Sequence, residues 1–302
     1  MWVWVETKTR SRIRVGLFAF GFGALVWCNT CPRVPPDVEP WFDLEEVRAL
    51  AGEEGLPERL DAMEVVASTA PRFLMTGALS LEAVRAPAMV YRVVWSSRSG
   101  VIDGANDEDH QITPWATFNE EGWARSQSAM QEAAWVVVTH EHEDHLSGIL
   151  TSPSFEAFAD RVRLTPAQLE SGAARDAGLT DARRARLTPW VIDGPTRLDD
   201  GVVVIPAAGH TPGSQVVYLR LSGGTEVILA GDVVWNRQNL EGGWMKPRWV
   251  SWWMGEDIGA IAAQVATLRA LESEEGVIVI VAHDDPQHQR LWASGLLGRF
   301  ER

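Results

Sequence analysis

The chain has 302 residues, a net charge of −14 and 46% hydrophobic residues, enough apolar material for one large domain or two small ones. Lys8, Arg10, Arg12 and Arg14 against Glu6 make the first fourteen residues basic, so the rest is more acidic still. Such a body repels phosphate backbones and argues against a nucleic-acid partner. Cys28 and Cys31 are the only cysteines; they give no disulfide framework and leave nitrogen and oxygen as the metal donors elsewhere.

Residues 1–14 are followed by an uncharged run, Val15 to Cys31, at the short end of what spans a bilayer. The order basic, apolar, polar reads as a signal peptide or signal anchor over residues 1–31, with membrane association and a membrane-bound or exported location. If the run is structural instead, the location is cytoplasmic. Residues 32–60 form a second unit: a stiff linker with Pro32, Pro35, Pro36 and Pro40, then an acidic surface helix pair from Asp43 to Leu60, broken at Gly52, Gly55 and Pro57. Residues 61–302 make the main domain.

In that domain Glu64–Thr69, Arg72–Met75 and Val90–Trp95 read as strands, and Val101-Ile102 leads into an Asp103-Gly104 turn. Asp103 either closes that turn or orients a metal-ligating histidine. A helix from Glu121 to Ala134 feeds a strand at Trp135–Thr139. Further on come a partly helical Leu146–Ala159, a strand at Val162–Leu164, a helix at Pro166–Arg175 and strands at Val191-Ile192, Gly201–Ile205, Gln215–Leu221 and Glu226–Ala230. The last three of these form a hairpin meander. A helix at Asp257–Leu271 and a buried strand at Val277–Val281 close the series.

The stretch that organises the chain is Val136-Val137-Val138-Thr139-His140-Glu141-His142-Glu143-Asp144-His145. The valines make a buried strand, and three of the seven histidines stand at its end. His140, His142 and Asp144 are two apart, so extended backbone projects them to one side. A helix starting near Asp144 turns His145 back to the same point. Glu141 and Glu143 alternate with these residues and point away. Neutral imidazole and carboxylate suit Zn, and also Mn or Fe.

Three other candidates follow apolar runs and therefore emerge at the same rim. They are His210 in Gly209-His210-Thr211-Pro212-Gly213-Ser214, Asp232 in Ala230-Gly231-Asp232, and His283 in Ala282-His283-Asp284. Gly209 and Gly231 allow close approach or unusual dihedrals beside them. His110 and His288 fall outside the pattern, as exposed or capping residues.

The His-x-His-x-Asp-His stretch, together with these three strand ends, resembles the metallo-β-lactamase superfamily over roughly residues 61–290. Gly-His-Thr-Pro-Gly-Ser resembles the corresponding segment of glyoxalase II and N-acyl homoserine lactonases. The resemblance implies an α/β fold: an αββα sandwich of two mixed β-sheets flanked by helices, with the site along one edge. It implies that His140, His142 and His210 hold one divalent metal ion, that Asp144, His145 and His283 hold a second, and that Asp232 bridges them. Asp at 232, where true β-lactamases have Cys or Ser, and His at 142, where the di-iron oxygen-reducing branch has Glu, place the chain outside both groups.

The function this implies is dinuclear hydrolysis of an ester or lactone of a small molecule, lactonase-like. A hydroxide shared by two ions, Zn first, attacks a carbonyl, and Asp144 and Asp232 are the catalytic carboxylates, Asp144 passing a proton to the leaving group. A glyoxalase II-like thioesterase or a small phosphodiesterase is the alternative; an iron-dependent redox enzyme or a non-catalytic metal-binding protein ranks lower. Trp235, Trp244, Trp249, Trp252 and Trp253 crowd the segment after Asp232. They either wall an apolar pocket, pack against the Asp257 helix, or meet a membrane.

Overall fold

The computed structural model describes residues 32–35, 38–78, 80–110 and 113–300. Period-two alternation of valine, isoleucine and leucine decides the architecture, because successive strand residues face opposite sides. Val203, Ile205, Val216 and Tyr218 point to one core cluster, whereas their neighbours Val202, Val204, Val217 and Leu219 point to another. Val137 joins that second cluster, while Val136 and Val138 enter a third. Both faces of each sheet are therefore apolar, and a sheet of that kind must be covered on both sides.

Among the described residues, twelve strands satisfy this in two mixed sheets. The first contains β1 (Arg59–Pro71), β2 (Ala83–Val94), β3 (Ser99–Ile102), β4 (Thr117–Phe118), β5 (Val136–Val137), β6 (Val162–Arg163) and β12 (Leu297–Gly298). Its order is β12-β1-β2-β3-β5-β6, with β4 paired to β1. The second contains β7 (Thr196–Asp199), β8 (Val202–Pro206), β9 (Gln215–Arg220), β10 (Glu226–Leu229) and β11 (Val277–Ile280), in the order β11-β10-β9-β8-β7. Strands β8, β9 and β10 are the expected antiparallel meander, and β11 is added parallel to β10.

Between the sheets lie Leu60, Met89, Val93 and Ile102 from one side and Val204, Leu219, Leu229 and Ile280 from the other. The helices Glu120–Glu132 and Glu143–Leu150 cover the outer face of the first sheet, and Leu44–Ala51 and Ile258–Leu271 that of the second. The αββα sandwich is thus present layer by layer.

Several local expectations change. Arg72–Thr76 is a short helix capped by left-handed Gly77, not a strand. The acidic stretch 43–60 yields one helix, Leu44–Ala51, capped by the Asp43 side chain; its Leu44, Val47 and Ala51 are buried. Leu60 already lies within β1. The expected helix at Pro166–Arg175 is split, because Ser171 leaves the helical region and caps a new helix, Gly172–Asp176. Val191 is exposed, and the edge strand is Thr196–Asp199 instead.

The membrane and signal-anchor assignment is also corrected. The segment 1–31, with Cys28 and Cys31, lies outside the described residues. Among the described residues no helix is long and apolar enough to cross a membrane. The longest apolar one, Ile258–Leu271, has 14 residues, where a span needs roughly 20.

Candidate metal centre

Five strand ends deliver the candidate side chains to one edge of the sandwich. β5 ends at Val137, and Thr139 then anchors the turn that follows. Its backbone N–H donates to Asp103 Oδ1 at 2.6 Å, and its hydroxyl donates to Asp103 Oδ2 at 2.9 Å. Asp103 follows β3, and the backbone there is left-handed at Asp103 and Ala105, with φ of 62° and 53°. Such a conformation costs an alanine roughly 1 kcal/mol. It is held because Gly104 N–H donates to His145 O and Gly148 N–H to Ala105 O. The strained loop is thereby pinned to the helix Glu143–Leu150 that carries two of the candidate ligands. Gly231, with φ of 51°, is needed at the end of β10, since a Cβ there would lie 2.8 Å from that of Thr139.

The strand stops at Val137 and the chain bends before His142, which sits at the N-cap of the helix. Asp144 already lies in the first helical turn, so it reaches the site from a helix and not along an extended strand. His210 follows β8, Asp232 follows β10 and His283 follows β11.

All seven predicted residues meet. His142 Nδ1 is 3.0 Å from both His140 Nε2 and His210 Nε2. Asp232 Oδ2 lies 3.7 Å from His140 Nε2 and 3.3 Å from His210 Nε2. Its other oxygen, Oδ1, is 3.3 Å from His145 Nε2 and 3.1 Å from His283 Nε2. Asp144 Oδ2 faces the same two imidazoles, at 3.8 and 3.5 Å. Asp232 thus turns one oxygen to each of two donor groups. Donor atoms of His140, His142, His210 and Asp232 lie within 4.8 Å of one another, as do those of His145, Asp232 and His283 and those of His140, Asp144 and His145.

The donor set fits cations and little else. His145 Nε2 and Asp232 Oδ1 are buried with no hydrogen-bond partner, although they are within ion-pair distance of each other. A buried polar pair left in that state is costly unless something else satisfies it. The outer nitrogens are already engaged. His145 Nδ1 meets Asp103 Oδ2 at 2.9 Å, His210 Nδ1 meets Glu256 Oε1 at 2.6 Å, and His283 Nδ1 meets Pro87 O at 2.9 Å. These partners fix the tautomer and leave Nε2 as a lone pair aimed inward, the arrangement metal-ligating histidines show.

Electrostatics agree. Burial and the neighbouring His145 hold His140 well below the ordinary histidine range, and burial lowers His210. Burial opposes charge on His145 too, but Asp103, Asp144 and Asp232 push it well up; Asp232 likewise raises His283. Burial alone would raise Asp232, yet His283, His140 and His145 hold it well below the usual carboxylate range. The rim is a negative pocket that draws positive charge, and metal binding there displaces protons.

A cavity of 530 Å³ opens beside the cluster and is bounded by His142, Asp144, Asp232 and His283. Its remaining wall is mostly apolar, including Val66, Leu74, Met75, Trp115, Trp249 and Trp253. The tryptophan segment therefore divides. Trp235, Trp249 and Trp253 line the cavity, while Trp252 is 80% exposed and Trp244 lies beneath the Arg33 guanidinium. Glu141 points away, as expected, accepting from Thr211 Oγ1 at 2.7 Å; Glu143 instead joins the cavity rim. His288 is neither exposed nor a cap: it is fully buried, 2.7 Å from the Tyr91 hydroxyl. His110 pairs with Asp107.

Sequence reasoning missed Glu256, Lys246 and Trp235 as partners of the cluster. Lys246 pairs with Glu256, and the Trp235 indole donates to Asp232 Oδ2 at 2.7 Å. One signal existed: Lys8 and Lys246 are the only lysines in a chain that otherwise uses arginine.

Residues 134–283 match the family model described as the metallo-β-lactamase superfamily. The chain belongs to that superfamily. No curated protein matches. Among solved structures, an N-acyl homoserine lactone hydrolase with the product N-hexanoyl-L-homoserine at its catalytic metal centre is 16% identical. The match has a TM-score of 0.61 and covers 78% of this chain and 96% of that one. AidC, a dizinc quorum-quenching lactonase, is 11% identical, with a TM-score of 0.55 over 76% and 89% of the two chains. A probable metal-dependent hydrolase from Staphylococcus aureus is 12% identical, with a TM-score of 0.53 over 75% and 89%. Identities this low show a shared fold. Within the superfamily this chain is a metal-dependent hydrolase that binds divalent cations.

Proposed function

We propose that the protein hydrolyses esters or lactones of small molecules carrying an apolar acyl group, using two divalent ions, Zn(2+) first. His140, His142 and His210 would hold one ion, Asp144, His145 and His283 the other, and Asp232 both. The observation that carries this reading is the division of the Asp232 carboxylate, each oxygen facing a different donor group. When bound, such a pair supplies Lewis acidity that polarises a carbonyl and makes water a competent nucleophile near pH ~7.

The protein's own residues do the rest. Asp144 stands on the boundary between the donor group and the cavity, where its carboxyl can hold a proton and deliver it to the leaving oxygen. Asp103, Glu256 and the Pro87 carbonyl keep three imidazoles aimed. Trp249, Val250 and Leu74 line the cavity and receive the acyl chain. The acidic cavity rim, with Asp144, Glu143 and Asp176, disfavours phosphodiesters. The fold shared with N-acyl homoserine lactone hydrolases supports a lactone over a linear ester.

The test is a panel of short- and long-acyl lactones, aryl esters, thioesters, β-lactams and phosphodiesters, run on metal-reloaded protein. Long-acyl lactones should be turned over fastest. A preference for thioesters or phosphodiesters, or equal turnover after chelation, would overturn the reading.

A further inference from the structure

We infer that Lys246 and Glu256 are positioning residues that tie the apolar cavity wall to two of the metal ligands, His210 and Asp232. The inference rests on the ligand reading above.

Lys246 and Glu256 flank the helix Arg248–Met254, which presents Trp249, Val250, Trp253 and Met254 to the cavity. Left-handed Gly255 ends that helix, with φ of 74°, and turns the chain back. Glu256 N–H then donates to Ser251 O, and Asp257 N–H to Gly209 O, which sets Glu256 beside His210. The Glu256 side chain is fully buried, and its Oε1 takes both His210 Nδ1 and the Lys246 ammonium.

Lys246 is itself only 5% exposed, and its Nζ lies 3.7 Å from the centre of the Trp235 ring. The Nε1–H of that indole donates to Asp232 Oδ2. One ammonium therefore touches both groups that aim the ligands of the first site, Glu256 for His210 and Trp235 for Asp232. The ammonium sits on the face of one ring and on a single carboxylate oxygen at the same time. A bare ion pair would need none of this, since buried pairs are replaceable by apolar residues at little cost.

The test uses the full chain and measures zinc affinity by competition with a chromophoric chelator, the visible spectrum after Co(2+) loading, and KM against kcat for a long-acyl lactone. Lys246→Met and Glu256→Gln each leave one buried charge alone, so K246M/E256Q serves as the fold-preserving variant, with thermal melting as control. Zinc affinity should fall about 10–100-fold, the usual effect of removing a partner behind a ligand. The Co(2+) spectrum should shift, and KM should rise more than kcat falls. A folded K246M/E256Q protein with unchanged zinc affinity and spectrum would overturn the positioning role. His210→Ala protein that still holds two zinc ions at full affinity would overturn the ligand reading, and the inference with it.

Discussion

Two regions face the same cavity and are built in opposite ways. The rim comes from the ends of β3, β5, β8, β10 and β11, whose strands are locked by three buried clusters. The wall at 244–254 is one short helix between turns, with Trp252 and Trp253 largely exposed. Strand ends cannot move without disturbing a core, whereas the cavity-facing tryptophans of a short helix can change with less disturbance, Lys246 being the wall residue tied to the rim. Chemistry should therefore depend on the rim and substrate choice on the wall.

The largest effect should come from Asp232→Asn, which removes the shared carboxylate. If charge stabilisation worth several kcal/mol is lost, at ~1.4 kcal/mol per tenfold, kcat should fall by about 10³-fold or more. Metal content per chain should drop in parallel. Asp144→Asn comes next: kcat should fall by about 10²-fold for substrates with poor leaving groups, and much less for activated aryl esters, if the carboxyl supplies a proton. Equal losses for both substrates would confine Asp144 to binding metal.

Asp103→Ala should weaken metal affinity about 10–100-fold, since it frees His145 and the Thr139 turn together. On the wall, Trp249→Ala should raise KM for long-acyl substrates by about tenfold, the scale of a few buried methylenes, with little change in kcat. Trp252→Ala should change neither, because that side chain leaves the cavity for solvent. A metal loss in Trp249→Ala would show that wall and rim do not separate in this way.

The same contrast explains what could be read from the chain. The valine runs before His140, His210 and His283 each forced a buried strand, so their ends had to share an edge. The convergence of the seven candidate side chains was legible for that reason, and the layered fold followed from the same runs. Asp103 was only half legible, because its role depends on left-handed backbone that a turn sequence does not reveal. Glu256 was illegible, and Lys246 stood out only as a rare lysine. Neither follows an apolar run, and their pairing needs the Gly255 turn to bring them together. His288 was misread because its neighbours Asp284, Asp285, Gln287 and Gln289 look like a solvated helix, while Tyr91 of β2 covers it. The Arg72 segment shows the limit of short apolar runs, which read equally as strand or helix.

The most direct test is a crystal structure of zinc-loaded protein with anomalous diffraction collected on both sides of the zinc edge. Two zinc peaks are expected, one among His140, His142 and His210 and one among Asp144, His145 and His283, with one oxygen of Asp232 on each. A single peak, or an Asp232 carboxylate bound to neither ion, would contradict it.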